Sequence, residues 1–313
     1  MFKDNTTMVT DVIFMGFHNL KGINILIFVV LLVVYSLTLC GNLLIIACVY
    51  FCNILHTPMY FFLTQLSLCD IILSTDIAPH LLNVILKQGG TMSFRSCIVQ
   101  YFFFAMAECS ECLLLTVMSY DRYLAICNPL HYTVIMNNFL CLKLSIMSWM
   151  LGISTMMASA ISIVSLNFCG PNVMDHFFCD VLPLLKLSCS STIVVNIEVV
   201  IFSITVLFLP FLLIIVSYSC VIFTILKIPS ATGKHKAFST CSSHLTVVSI
   251  FYVTLICAYG LPNRGQVLNL GKILSICYTL GTPLMNPIIY SLRNKDIKIA
   301  FEKLINNLKV DPN

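Results

Sequence analysis

Cys112-Leu-Leu-Leu-Thr-Val-Met118-Ser-Tyr-Asp121-Arg122-Tyr-Leu-Ala-Ile-Cys127-Asn-Pro-Leu-His-Tyr132 is the most telling stretch of the chain. An apolar run closes directly on an acid and an arginine. Charge where a hydrophobic helix leaves a membrane is expensive to keep, so it is retained for a task. A helix end snorkelling to the headgroups is the plainer alternative. The flanking sequence repeats the apolar theme. Of 313 residues, 59% are hydrophobic and 10% charged, against about 25% charged in a soluble domain. Stretches long enough to span a bilayer, roughly 20 residues, lie at 23–50, 59–79, 97–126, 139–163, 194–228, 237–261 and 273–292. Backbone polar groups cannot stay unpaired in lipid, so each must be a helix. The expected fold class is an all-α membrane protein, a seven-transmembrane helix bundle with a short amphipathic cytoplasmic helix.

Residues 1–22 then form an N-terminal segment, 23–292 the bundle and 293–313 a tail, leaving no room for a separate soluble domain. The first 22 residues lack the basic-then-apolar pattern of a cleaved signal peptide, so the first helix is expected to serve as the targeting signal. Seven crossings put the termini on opposite sides. Arg122, Lys143, Lys227, Lys234, Lys236, Arg293, Lys295, Lys298, Lys303 and Lys309 all fall on the C-terminal side. These ten of the seventeen basic residues make that side cytoplasmic by the positive-inside rule. Loop 51–57 carries no Lys or Arg, and Lys21 lies on the proposed outside, so charge near the first helix argues the other way. Two further signals favour an external N-terminus. Asn5-Thr6-Thr7 is a glycosylation sequon, usable only outside. Four of the sixteen cysteines, Cys97, Cys169, Cys179 and Cys189, fall in outside segments. In an oxidising compartment such a set suggests disulfides, with three connectivities open. The net charge of +4, with no basic run, gives no reason to expect nucleic acid.

Polar groups inside the spans are the next candidates, since each ionisable one costs about 2.5–3.5 kcal/mol to insert. Asp70 sits mid-helix, Glu108 and Glu111 share one helix face, and Asn42 and Asn286 lie in the first and last spans. Asp70 and Glu111 could hold a cation such as sodium, or one of them a proton; polar glue between helices is the alternative. Otherwise no cofactor is expected. There is no Gly-rich phosphate loop, Gly-x-Ser-x-Gly elbow or His-Glu-x-x-His pair, so the chain is not read as an enzyme. His176, Cys179 and Asp180 have metal-like spacing, but a disulfide at Cys179 would remove the thiolate, and no metal is expected. A transporter is the competing class, yet it would show paired halves or broken helices.

The motifs resemble the odorant receptors, a branch of the rhodopsin-like G-protein-coupled receptors. They are Gly41-Asn42, Leu55-His56-Thr57-Pro58-Met59-Tyr60, the Met118–Tyr132 stretch, His176-Phe177-Phe178-Cys179-Asp180 and Ser217-Tyr218. Lys236-Ala237-Phe238-Ser239-Thr240-Cys241-Ser242-Ser243-His244-Leu245 and Pro283-Leu284-Met285-Asn286-Pro287-Ile288-Ile289-Tyr290 complete the set. Trp149 is the single tryptophan, and Phe251-Tyr252-Val253 stands where most rhodopsin-like receptors carry Trp-x-Pro. Val253 and Ser119 depart from the glycine and alanine common in the family.

The resemblance implies a multi-pass plasma-membrane receptor for small volatile odorants. Its pocket would be lined by Phe104, Ala105, Glu108, Cys109, Phe202, Val206, Leu255, Tyr259 and Thr279. It implies disulfides Cys97–Cys179 and Cys169–Cys189. It also implies an outward motion of the sixth helix, after which Arg122 meets a stimulatory, olfactory-type G protein that raises cyclic AMP. Asp121, Tyr123, Tyr218, His244, Asn286, Pro287 and Tyr290 are the remaining switch candidates, with Asp121 the main restraint on Arg122 and Tyr218 and Tyr290 its internal partners. Asn42, Asp70 and Glu111 would form the intramembrane polar site. Glu108 is unusual at this depth: ionised and facing the pocket it would favour amines or other polar ligands, and otherwise it partners Glu111 or Ser110. The tail at 295–308 reads as an amphipathic helix on the inner leaflet, with Ile297, Phe301, Leu304 and Leu308 on one face and Lys298, Lys303 and Asn306 elsewhere.

Overall fold

Seven helices are long and apolar enough to cross a membrane. The computed structural model describes residues 10–17, 22–169, 171–260, 268–293 and 295–310, the side chains at 236, 239–240, 259–260, 268–270, 292–293, 295 and 304–310 excepted. The spans are α1 (Asn24–Phe51), α2 (Pro58–Lys87), α3 (Phe94–Cys127), α4 (Asn138–Val164), α5 (Ile193–Lys227) and α6 (Ala231–Gly260). The last is α7, built from Leu268–Ile276, a π-helical turn Cys277–Gly281, and Thr282–Arg293; α8 (Lys295–Val310) follows it. A second π turn, Ser203–Phe208, interrupts α5.

Local chemistry sets the helix ends. Pro58 occupies the first turn of α2, where no N–H is needed. The Ser93 and Asn137 side chains accept from the N–H groups of Ser96 and Leu140, capping α3 and α4. The second span does not stop at Pro79 as its apolar run suggests; α2 carries that proline inside and continues to Lys87. Proline is tolerated within membrane helices where neighbours satisfy the freed groups. Gln88 ends α2 in the left-handed region at φ 55°, with the Gly89 N–H closing on Val84 O at 2.9 Å.

α3 is the central element, packed against α2, α4, α5 and α6. Helices in lipid associate by close packing rather than by hiding apolar surface from water. Two glycines carry that closeness. A Cβ at Gly152 would lie 2.6 Å from Ser110 Oγ and 3.0 Å from Met106 O, so only glycine lets α4 seat on α3. Gly41 meets Pro287 on α7 the same way, at 2.9 Å. Gly152→Val is therefore expected to cost about 1–3 kcal/mol through overpacking, seen as a lower melting temperature of the detergent-solubilised protein. An unchanged melting temperature would show that α4 can shift freely.

Short strands add an element that no sequence alternation announces. β1 (Asp11–Phe14) pairs antiparallel with β2 (Gly90–Ser93) and parallel with β3 (Val173–Met174), giving the order β2-β1-β3. Strands this short have too few residues for a period-2 signal; backbone pairing across the bundle end creates them. They lie at the bundle's N-terminal face, together with the Cys97–Cys179 and Cys169–Cys189 disulfides.

Candidate functional site

Beneath the N-terminal face, one stripe of α3 packs into a buried aromatic cluster, the candidate ligand chamber. Phe104 is 1% exposed and meets the Phe178 ring edge-on at 5.0 Å and Tyr278 at 6.1 Å. Glu108 follows one helical turn further along the same face. Its Oε1 is sealed from solvent and has no hydrogen-bond partner among the described residues. Ala105, Val206 and Leu255 are buried on α3, α5 and α6, and Phe202 is half-buried. Cys109 is placed elsewhere: 100° round the helix from Glu108, its sulfur lies 3.9 Å from Thr155 Oγ1 on α4. Thr279 is buried and its hydroxyl is spent on Ser275 O at 2.7 Å. Tyr278, rather than its neighbour Thr279, faces Phe104. Both residues lie in the α7 π turn, which inserts a residue and re-aims the following side chains, so counting at 3.6 residues per turn misplaces them. The Tyr259 side chain and Asn5 lie outside the described residues.

A lid closes over this chamber. His176 stacks on Phe177 at 4.7 Å, and Phe177 in turn stacks on Phe17 at 5.9 Å. Lys272 of α7, 2% exposed, pairs with Asp175 and donates to Gly16 O at 2.6 Å, joining three segments distant in sequence. Gln100 accepts from the Cys179 N–H at 3.0 Å and donates to Asp76 O at 3.0 Å. Phe17, Gln100 and Lys272 escape sequence reading because none belongs to a motif with its partner. The metal-like trio is dispersed: Cys179 is spent in a disulfide, while Asp180 caps the short helix Val181–Leu185 through the Val181 N–H at 2.7 Å.

The lid carries two buried titratable groups, His176 and Asp180. Burial, then the charge of Lys272, brings His176 down to about 3, with Asp175 and Lys186 the other charged groups it feels; burial raises Asp180 to about 6. A depressed histidine contributes stability above its unfolded value near 6.5 that is lost as pH falls towards the folded value. The raised Asp180 works in the opposite sense, its destabilisation fading below about 6. The histidine shift is the larger, so protection factors across residues 173–180, corrected for the intrinsic slowing of amide exchange at lower pH, are expected to fall between pH 7 and pH 5. Equal exchange in His176→Phe and the parent protein at both pH values would refute this.

At the bundle centre, Asn286 Nδ2 donates to Asp70 Oδ1 and Oδ2 at 3.0 Å each and to Glu111 Oε1 at 3.4 Å. Asn42 donates to Thr38 O at 3.0 Å and Pro283 O at 3.1 Å, tying α1 to α7. Glu111 Oε2 and the side-chain oxygens of Asn42 and Asn286 are buried without hydrogen-bond partners among the described residues. Two carboxyl groups share one amide, which leaves their negative charge uncompensated unless a cation or a proton is present.

Towards the C-terminal face, Asp121 Oδ2 accepts from Arg122 Nε at 2.9 Å and pairs with its Nη2, while Tyr132 donates to Oδ1 at 2.8 Å. Tyr132 comes from the short helix Pro129–Ile135, and its position in space is not readable from its place in the motif. Tyr218 bonds His244 Nδ1 instead of Arg122, locking α5 to α6. Tyr290 lies between the clusters, within electrostatic reach of Arg122 on one side and of Asp70 and Glu111 on the other. Pro287 packs under Gly41, and Tyr123 stacks on Tyr120 away from the lock. Ile297 and Ala300 form the docking face of α8, held by Tyr60 to Asp296 at 3.1 Å; Phe301 is 38% exposed and sits beside that face.

Two clefts lie off the chamber. One of 560 Å³ opens among Phe14, Asn83, Lys87 and Gln88 at the N-terminal face, and one of 110 Å³ lies among Ile45, Cys48, Ile297 and Phe301 at the tail. The first is lined largely by loop and strand residues and is open to solvent, so it lacks the closed apolar shape of a small-molecule site.

A seven-helix bundle with a disulfide-tied lid at one end and an Asp-Arg lock at the other defines a rhodopsin-like membrane receptor. Residues 31–307 match the olfactory receptor family. The human protein Olfactory receptor 11L1 is 44% identical over 305 residues, covering 97% of this chain and 95% of that protein. Human Olfactory receptor 10A7 is also 44% identical, covering 97% and 96%, and mouse Olfactory receptor 5AR1 is 43% identical, covering 97% and 98%. The chain belongs to the olfactory receptor family, whose members are multi-pass membrane receptors and not enzymes.

Proposed function

We propose that this chain binds a small volatile molecule between α3, α5, α6 and α7, beneath the lid. Binding drives α6 outward and frees Arg122 to engage a stimulatory, olfactory-type G protein that raises cyclic AMP. The observation that carries this reading is that one helix, α3, joins the two ends: Phe104 and Glu108 belong to the candidate chamber, and Asp121 and Arg122 form the lock. A ligand shifts this balance only by preferring one arrangement of the bundle. The N-terminal face is external, a reading supported by its two disulfides and by the basic residues gathered at the opposite end. A sodium ion or a proton balances Asp70 and Glu111, and its loss accompanies activation. Carbohydrate at Asn5 belongs to the same orientation.

The test is a cyclic AMP assay on cells presenting the receptor, with and without the stimulatory α subunit, against a varied odorant panel. The expected result is ligand-dependent cyclic AMP that requires that subunit. Ion flux in proteoliposomes without any G-protein response would overturn it in favour of a transporter.

A further inference from the structure

Glu108 points to the class of ligand, an inference that rests on the receptor reading above. The charged groups close enough to act on its carboxylate are Asp180 and Glu111, both acids. A second sealed and unpartnered carboxylate oxygen comes from α5: Glu198 Oε2, whose other oxygen accepts from Ser162 at 2.7 Å. Glu108, Asp180 and Glu198 all act on Tyr101, itself bonded to Ser159 at 2.8 Å. Among the described residues no Lys or Arg pairs with these three acids; Lys272 is committed to Asp175 and Gly16. A sealed carboxylate oxygen that, among the described residues, has neither a hydrogen-bond donor nor a paired cation is costly. One turn away on the same face, Phe104 carries the rings of Phe178 and Tyr278 against it, and the faces of such rings attract a cation.

We propose that the chamber takes a small organic amine, held as its ammonium against the Glu108 carboxylate with its hydrocarbon part among Phe104, Phe178 and Tyr278. The ammonium supplies the donor that Oε1 lacks. A neutral molecule of the same shape leaves the carboxylate unpaired and is rejected for that reason. Glu198 and Asp180 add acidic potential at the chamber's rim and draw cations inward.

The experiment compares each of several alkyl and cycloalkyl amines with the alcohol of the same skeleton, on cells with surface-labelled receptor and a cyclic AMP readout. Amines are expected to act at concentrations roughly ten- to a hundredfold lower than their alcohols, the range of one charged hydrogen bond. Glu108→Gln should erase that preference, and Glu108→Asp should restore part of it. Protection of the purified receptor by amines against thermal unfolding provides a second readout that needs no G protein. Responses to alcohols equal to or stronger than those to amines, or an amine preference intact in Glu108→Gln, would overturn the proposal and leave the receptor reading standing. Silence of surface-expressed receptor towards amines, alcohols and the varied odorant panel alike would overturn both.

Discussion

Replacing Asp121 by asparagine is expected to raise ligand-free cyclic AMP several-fold, while Arg122→Ala brings the ligand-driven signal down to background at equal surface density. Asp121 is fully buried and spends both oxygens, one on Arg122 and one on Tyr132. Removing one partner of a buried pair costs about 3–5 kcal/mol, discounted here because the pair lies near an end of the bundle, where water reaches. Even about 1.4 kcal/mol shifts a two-state balance tenfold. In the proposed switch the lock belongs to the closed arrangement, so its loss favours the open one. Arg122→Ala removes the group proposed to reach the G protein, and signal is lost although the lock is broken. Tyr132→Phe deletes a single hydrogen bond and should raise basal signal less, in line with about 0.5–1.5 kcal/mol. Basal cyclic AMP unchanged in Asp121→Asn would mean that restraint lies in the Tyr218–His244 contact instead.

The second large effect falls on the lid. Cys179→Ser is expected to reduce folded receptor at the surface to a small fraction of the parent level. The Cys97–Cys179 bond closes a sequence separation of 82 residues, and a loop of that length is worth about 4–5 kcal/mol in the chain-entropy view. It also fixes the segment that presents Phe178 to Phe104 and His176 to Ser275. The Cys169–Cys189 bond spans 20 residues, worth about 3 kcal/mol, so Cys189→Ser should be milder. The double variant Cys97→Ser/Cys179→Ser should match either single one, since both lose the same bond. Surface labelling combined with melting curves measures all of these. Equal surface levels for Cys179→Ser and the parent would show that packing alone holds the lid.

Part of the site is legible in the residues themselves. Helical spacing is a property of the chain, so Phe104 and Glu108 fall on one face wherever the helix packs. Polar side chains in lipid must find one another, which groups Asp70, Glu111 and Asn286, and the structure brings all three together. Sequence and structure part where geometry departs from the regular helix. The resemblance selects Thr279, whose hydroxyl is taken up by Ser275 O, while its neighbour Tyr278 in the α7 π turn meets Phe104. Tyr218, expected as an internal partner of Arg122, lies within electrostatic reach of it and also bonds His244, a contact across α5 and α6 that the motifs do not announce. Helical spacing groups Ile297 with Phe301 on the leaflet face of α8; the structure buries Ile297 and Ala300 against the bundle and leaves Phe301 38% exposed.

The class of molecule follows from the chain alone: seven apolar runs can satisfy their backbone in lipid only as helices, and the cost of buried charge marks which residues work. Contacts between segments far apart arise only in the folded bundle. Lys272 meeting Gly16 and Asp175, Tyr132 meeting Asp121, and β1 lying between β2 and β3 have no signature in their local sequence. Periodicity reports which face of a helix is buried. Which neighbour covers that face depends on how all the helices pack at once, and a single close approach such as Gly152 on Ser110 sets that packing.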